Sequence, residues 1–522
     1  MSRPVRWIAP ALLALALLPL LAKVPATIGF ERAILTYPFQ VDDSEGVILA
    51  EAQWLARGVD PYQPARPDFF TAAPYTPIFL LLNAAAFAAG PFTFKVGRGI
   101  ALLATLAFAT GVGALAGWRT RKALLALWAA LAVLTLDLVA VWAVRARPDH
   151  LALACNLAGL AAIWVHWPAP AAAKERRPRD WPLLGLAVGC FALGFFTKQT
   201  LLAAPAAAGL YLLVARPRLG LTFGALYAGA VLIPFLLIDL VTRGGFYQHI
   251  VAFHSSWSAA DYRHLAEPFA RRYWPLLLGA ALLPITVLLT ARGRAALRAD
   301  RDLLPALYLA SAALGSLGAG THGGNHNHFV ETLVVAVLCA ALLANRLLEA
   351  PRPWTHLVGV VVPVLLSLAL LNEAHVGVTG WLARDFRAPL PAERAGWAQV
   401  ASFVTNDPGP VYSDNVGLLL VAGKDVYYTD PFTLAYAVNT GQWDDRALVA
   451  RVMRGDFSLI ALRYDLFDQD AAKGPPTDMT PALYNAIRAR YRVVQRNVMV
   501  LYVPLERGNR NAERGIKAGL AP

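Results

Sequence analysis

Charge and cysteine are what this sequence lacks. Asp, Glu, Lys and Arg make up 16% of its 522 residues, where a soluble domain carries roughly a quarter, so a core wrapped in one water-facing shell is a poor description of it. The three cysteines, Cys155, Cys190 and Cys339, lie inside apolar runs. That leaves no disulfide framework and no cysteine metal site, and marks them as small core residues. No Walker loop, dinucleotide fingerprint or G-x-S-x-G elbow stands where a strand and a helix would make it work, and GVGALAG falls within an apolar run. These absences argue against a soluble nucleotide-using enzyme. There is no internal repeat and no extended low-complexity tract.

What fills the chain is apolar: 57% hydrophobic residues and a mean hydropathy of +0.48. The pattern is that of an α-helical polytopic membrane protein. Lys and Arg number 47 against 34 Asp and Glu. The basic residues sit mostly in short loops between apolar runs, so their excess encodes topology and implies no nucleic-acid partner. The first 30 residues have a basic start, a bilayer-length apolar stretch and no clear cleavage site before Glu31, as in a retained signal anchor.

The expected spans are 7–29, 99–117, 123–143, 150–166, 182–197, 199–215, 218–241, 274–290, 303–319, 329–348 and 355–372. A twelfth apolar stretch, 77–92, decides the topology. If it crosses, WRTRK (118–122), KERRPR (174–179), ARPR (215–218), RGRAALRADR (292–301) and NRLLEAPRPW (345–354) all fall outside. If it lies along the interface, all fall inside, as the positive-inside rule requires. The breakers in TAAPYTPIF and Gly90-Pro91 favour the second arrangement. About eleven spans, a cytoplasmic N-terminus and an outer C-terminus follow.

That register places 30–98, 144–149, 242–273 and 320–328 on the outer face. After residue 373 the composition becomes that of a soluble α/β domain. GPVYSD, DVYYTD, FSLIALRY and YRVVQRNVMVLYVP read as strands, and 393–406, 444–455 and 480–490 as helices. The expected division is a transmembrane domain over 1–372 with its first outer loop 30–98, an extracytoplasmic α/β domain over 373–510, and a disordered tail over 511–522.

The polar residues of interest collect on this outer face. Residues 44–57 form an expected helix, with Asp43 or Ser44 as cap, Glu45 in its first turn and Gly58 as stop. One carboxylate suffices to cap, whereas Asp42, Asp43 and Glu45 together repel one another; the excess points to a base or a cation-binding site. Asp149 stands at a span mouth beside Arg145, Arg147 and His150, either as a structural ion pair or as a second active-site carboxylate with phosphate-binding arginines. Lys198 and Gln199 occupy a tight outer turn, where the lysine either snorkels or presents a point charge to a phosphate. In THGGNHNHFVE (321–331), His326, His328 and Glu331, with His322 nearby, are the residue types of a Zn²⁺ or Mn²⁺ site, which makes a divalent metal a candidate cofactor. Asn325 and Asn327 suit hydrogen bonding to a sugar or pyrophosphate. The 242–273 loop interleaves His249, His254, Asp261, His264, Arg271 and Arg272 with Phe253, Trp257 and Tyr262, a mix that fits carbohydrate stacking or an interfacial belt.

Taken together, DDSEGVILAEAQWLARGVDPY, PYTPIF, RPD, FTKQ and GGNHNHF resemble the motifs of the GT-C membrane glycosyltransferases. The likeness is to the bacterial group similar to protein mannosyltransferases and the lipid A aminoarabinose transferase, and it covers nearly the whole chain. The sequence departs from the aminoarabinose enzymes at TAAPYTP, which lacks their acidic-Lys pair. The resemblance implies transfer of a hexose or pentose from a polyprenyl-phosphate donor, within membrane lipids, to an extracytoplasmic lipid, glycan or protein acceptor, with inversion. It implies Asp43 or Asp42 as base, Asp149 assisting, and Lys198, Arg145 and Arg147 on the donor phosphate; Glu45 and Gln199 join the substrate-binding set. The bacterial inner membrane is the expected location. A transporter or flippase of lipid-linked sugars is the main rival, but the ionisable residues gather at one face, with Asp137 and Asp239 as exceptions, and not at the midplane. A non-catalytic sensor leaves the first-loop carboxylates unexplained.

Overall fold

The computed structural model describes residues 5–166, 180–291, 293–372, 387–468 and 474–505. The expected tail at 511–522 and the KERRPR cluster lie outside these residues. Every one of the eleven expected spans falls on a helix: α1 Val5–Leu35, α4 Phe94–Thr120, the pair α5 Ala123–Thr135 and α6 Asp137–Ala143, α7 Asp149–His166, α8 Asp180–Thr197, α9 Ala203–Ala215, α10 Pro217–Val241, α12 Ala259–Thr290, α14 Leu303–Gly315, α15 Val330–Glu349 and α16 Pro353–Asn372. Between them lie α2 Asp43–Ala56, α3 Pro77–Ala89, α11 Gly245–Ile250 and α13 Arg294–Ala299. Among the described residues seven helical stretches are long and apolar enough to cross a bilayer, or eight if α5 and α6, bent by 64°, make one span. Helix α15 is apolar almost all round and is buried along nearly its whole length, which makes it the centre of the bundle.

Two sets of polar contacts mark the two ends of the bundle. At one end Arg119 donates to Asp302 (2.8 Å), Arg346 to Asp300 and Asp302 (2.9 Å each), and Lys122 to Asn345 (2.6 Å). The described basic clusters at 118–122, 292–301 and 345–354 thus gather together. At the other end Arg98, in the first turns of α4, donates to the carbonyls of Ile34 and Tyr37 (2.7 Å each). The end of α1 and the start of α4 are therefore neighbours. Helix α3, between them, makes no net crossing, which is the arrangement the basic loops require.

The bend between α5 and α6 has an electrostatic cause. Asp137 opens α6, where a carboxylate favours the helix N-terminus, and it pairs with Lys23 of α1 (2.9 Å) and Arg272 of α12 (2.7 Å). Two buried charges and the half-buried Arg272, from three helices, fix the direction of α6, and α6 delivers residues 144–149 to the polar end of the bundle. Asp137 is thereby accounted for as a structural charge.

The C-terminal unit is a four-stranded sheet, β1 Val411–Ser413, β2 Leu459–Leu462, β3 Tyr491–Arg496 and β4 Val500–Pro504, in the order β1-β2-β4-β3. Strand β2 runs parallel to β1, and the β4 contacts are antiparallel. Helices α17 Pro391–Asn406, α18 Val416–Val421, α19 Pro431–Asn439, α20 Arg446–Arg454 and α21 Pro481–Arg490 surround it. The expected strand DVYYTD is not part of the sheet. It makes one parallel bridge to Phe70 of the first loop, with Phe70 N donating to Tyr427 O and Thr429 N to Phe70 O (3.1 Å each). An alternating pattern reports an extended segment; its partner here belongs to the membrane domain.

The unit is seated on α2. Leu49, Ala50 and Trp54 share one apolar cluster with Val400, Leu418, Leu419 and Leu459, and Gly46 meets Gly417. A Cβ at Gly46 would stand 2.2 Å from Gln40 Oε1 and 2.4 Å from Gly417 N. We expect Gly46→Val to cost about 1–3 kcal/mol by overpacking. The detergent-solubilised protein should show a thermal midpoint lowered by several degrees, and an unchanged midpoint would remove this account of the seat.

Candidate functional site

A cavity of about 610 Å³ opens between the bundle end and the α/β unit. It is lined from the first loop by Asp42, Asp43, Ser44 and Tyr75, from the next loops by Arg147, Lys198, Gln199, His254, Asn325 and Asn327, and from the α/β unit by Asp414, Asp430, Arg463 and Asp478. All four loops expected on the outer face contribute. Of the 242–273 stretch, Ile250, Val251, His254 and Ser255 reach the wall.

The three first-loop acids have three different fates. Asp42 occupies the cap position of α2 with extended backbone (φ −137°, ψ 134°), yet its side chain makes no capping bond. It turns instead to Arg147, which donates to Oδ2 at 2.9 Å, with Arg145 3.5 Å from Oδ1. Asp43, the first helical residue, is 67% exposed to the cavity. Arg463 donates to its Oδ2 at 2.6 Å, while Oδ1 has a long 3.5 Å contact from Gln40. Neither aspartate side chain makes a capping bond to the helix. Protein surrounds Asp43 on most sides even though the cavity admits water, and this desolvation raises its carboxyl above the usual aspartate range; Arg463 opposes the rise and Asp42 and Asp430 add to it.

Glu45 is a correction. It is fully buried and outside the cavity wall, where it binds Arg98 through both oxygens (2.8 Å each) and accepts from the amides of Val41 (3.0 Å) and Ala146 (2.9 Å). A carboxylate accepting four such hydrogen bonds has no capacity left for a substrate. It holds the loop.

Arg147 is the hub of the basic wall. It lies over the Trp142 ring at 4.9 Å, with Arg145 over the same ring at 4.5 Å. It donates to Asp42, Ser44 (3.0 Å) and the Tyr75 hydroxyl, and its Nε, 3.7 Å from Asp149 Oδ2, has no hydrogen-bond partner among the described residues. Asp149 begins α7 behind the wall and is buried. Lys198 and Asn327 (2.5 Å) both donate to its Oδ1, so it reads as the anchor of the lysine. Gln199 donates to Pro74 O at 2.8 Å, which ties the lysine turn to the Pro-Tyr motif. Asn325 lines the cavity and accepts from the His326 amide at 2.7 Å.

The metal set expected at 326–331 is not assembled. Glu331 is buried and accepts from the Tyr308 hydroxyl (2.9 Å), His326 contacts Asn325, and His328 packs on Gly318. Among the described residues no three His, Cys, Asp or Glu side chains converge as metal ligands. Consecutive residues on a short helical turn point in different directions, which the spacing in the sequence conceals.

Sequence reasoning missed the wall supplied by the α/β unit. Asp414 follows β1 and Arg463 follows β2, at the carboxyl ends of two adjacent parallel strands, where α/β sheets commonly bind ligands. Asp430 accepts from the amides of Phe432 and Thr433 (3.1 Å each) at the start of α19. His322 stacks between Phe432 and Tyr436 (4.4 and 4.2 Å), and burial pushes His254 down to about 4, which keeps it neutral. Buried polar atoms without partners concentrate here: Arg147 Nε, Gln199 Oε1, His254 Nε2, Asn327 Oδ1, Asp414 Oδ1 and Asp478 Oδ1. Such atoms are rare in native interiors, and their presence on several residues around one cavity sets this region apart.

No protein-family model matches the chain, and no curated protein sequence matches it. Solved structures do. ArnT from Cupriavidus metallidurans bound to undecaprenyl phosphate is similar at a TM-score of 0.58 and 12% identity, over 94% of this chain and 99% of that one. Its apo form gives 0.59 and 12% over 92% and 97%. The apo oligosaccharyltransferase of Archaeoglobus fulgidus gives 0.53 and 10% over 91% and 73%. The chain thus has the GT-C fold that its motifs resemble.

The different fates of the acids predict different variants. Removing one partner of the buried Glu45–Arg98 pair, as in Arg98→Met or Glu45→Gln, should cost about 3–5 kcal/mol, seen as poor recovery from membranes or a much lower thermal midpoint. Asp43→Asn, at an exposed position, should stay within about 0.5 kcal/mol of the parent. Equal losses in both would contradict the assignment.

Proposed function

We propose that the chain is a membrane glycosyltransferase that moves a sugar from a polyprenyl-phosphate donor to an acceptor on the outer side of a bacterial cytoplasmic membrane. The observation that carries the reading is the pairing, across one cavity at the bundle end, of an accessible carboxylate oxygen on Asp43 with the cationic Arg147–Lys198 wall. The fold supports it, since a solved neighbour with the same architecture holds undecaprenyl phosphate. The gathering of basic loops at the opposite end supports an outward-facing cavity and α/β unit, with the N-terminus inside. In this reading 1–372 is the transferase domain, and the α/β unit over 373–510 caps the site.

The chemistry is a single displacement. An acceptor hydroxyl or amine attacks the anomeric carbon, its proton passes to Asp43, and the anomeric carbon–oxygen bond breaks with its electrons leaving on the polyprenyl phosphate, so the configuration inverts. A base in a desolvated setting with a raised pKa holds a proton better than free aspartate does. Arg147 offers a planar guanidinium and Lys198 a point charge, both on residues of the cavity wall and suited to the negative charge that grows on the leaving phosphate. Asp42 and Asp149 hold these cations in place. They do not themselves take the proton. Hexose or pentose, and lipid, glycan or protein acceptor, are matters of the cavity's fit, and Asn325, Asn327 and His322 are the polar and stacking groups placed to decide it.

The test is the pool of polyprenyl-phosphate sugars in cells carrying the parent chain, Asp43→Asn or a deletion, measured by mass spectrometry of extracted lipids. One donor should accumulate to the same level in the variant and the deletion, with the variant protein present in the membrane at parental amounts. No change in any polyprenyl-phosphate sugar would end this reading.

A further inference from the structure

Arg463 joins carboxylates from three distant stretches of chain. Its Nη1 donates to Asp43 Oδ2 at 2.6 Å and its Nη2 to Asp478 Oδ2 at 2.9 Å; its backbone N donates to Asp414 Oδ2 at 3.0 Å, with Nε 3.4 Å from the same oxygen. Asp414 and Asp478 are buried, at 4% and 6% exposure, and Tyr464 adds a hydrogen bond to Asp478 Oδ2 at 3.3 Å. Two buried carboxylates around one guanidinium are a poor way to gain stability, because their desolvation offsets most of the attraction. They are an effective way to fix a planar fork in one orientation. The fork points at Asp43, an exposed residue on the first turn of a helix that needs no partner for folding. It occupies one carboxylate oxygen and leaves the other facing the cavity.

We propose that Arg463 is a positioning residue for the transfer reaction: clamped by Asp414 and Asp478, it locks one oxygen of Asp43 so that the other meets the acceptor. The α/β unit thereby sets the geometry of the base. This rests on the reading of Asp43 as base. The charged groups that act on Asp43 are Arg463 and Asp430 across the cavity and Asp42 beside it, and the Arg147–Lys198 wall shares the cavity. Removing Arg463, the cation bonded to it, raises the pH at which Asp43 loses its proton. Since the base works only when ionised, the acid limb of the pH–rate profile moves upward. Asp414 is the other group that titrates nearby, because burial pushes it up to about 7 against the pull of Arg463.

The experiment uses membrane vesicles with the full chain and their own lipids, following the conversion of polyprenyl-phosphate sugar to free polyprenyl phosphate by mass spectrometry from pH 5 to 9. Arg463→Gln should lower the plateau rate about 100-fold through loss of alignment and shift the acid limb up by about one pH unit or more. Arg463→Lys keeps the charge without the fork. It should lose about tenfold in rate with the limb at its parental position, and it serves as the test if the Gln variant is not recovered. Asp414→Asn should retain an acid limb, which assigns that limb to Asp43. Parental rates in both Arg463 variants, a rate loss in Arg463→Gln with the limb unmoved, or disappearance of the limb in Asp414→Asn would overturn the proposal. Parental activity in Asp43→Asn would instead overturn the base itself, a separate outcome.

Discussion

The site depends on a contact that does not touch it. Arg98 and Glu45 are both fully buried and bound to each other through two hydrogen bonds. Arg98 also holds the carbonyls of Ile34, Tyr37 and Phe39, and Glu45 the amides of Val41 and Ala146. One ion pair therefore satisfies the backbone where α1 ends, where the first loop turns, and where α6 gives way to α7. Backbone groups buried at a bundle end without such partners would each cost free energy comparable to a lost hydrogen bond. With the pair in place, Asp42 and Asp43 on one side and Arg147 on the other are fixed to the same rigid point.

The second constraint is the direction of α6. Its first residue, Asp137, is tied to Lys23 and Arg272, and its penultimate residue, Trp142, lies under both arginines. A helix of seven residues is too short to hold a direction on its own, so the charges do it. Arg147 thus arrives at the cavity braced by a ring, a phenol and a carboxylate. Preorganised donors of this kind have little left to reorganise when a phosphate arrives, which is the condition under which electrostatic stabilisation is most effective.

What could be read from the sequence follows from what is local. The helices under the expected spans were legible because a long apolar run is a local signal, and seven or eight stretches among the described residues are long and apolar enough to cross a bilayer. The pattern of Asp42, Asp43, Arg147, Lys198, Gln199, Asn325 and Asn327 was legible as a set because topology alone placed those loops on one face. Glu45 was misread because acid crowding shows that some carboxylate must have a partner without showing which one; its partner, Arg98, is 53 residues away. The metal set at 326–331 failed for the reverse reason, since neighbours in sequence diverge on a tight helical turn. Arg463, Asp414 and Asp478 stand in soluble-type sequence where charges are ordinary. The available signal was positional: a polar residue directly after each of two short buried strands, VYS and LIAL.

A cavity between a membrane bundle and a water-exposed unit raises the question of what keeps the two in register. The apolar seat around Gly46 and Gly417 excludes water but is non-directional, and apolar contact alone tolerates sliding. The bridge at Phe70 adds direction with two backbone hydrogen bonds. The bond from Gly417 N to Gln40 Oε1 (2.9 Å) adds a third fixed point, and Gln40 in turn reaches Asp43. The carboxylate facing the cavity is thus held on one side by the loop that Glu45 anchors and on the other by Arg463, just past the end of β2. Its position is set by the fit of the two units, so a change in how the α/β unit sits is felt first at Asp43.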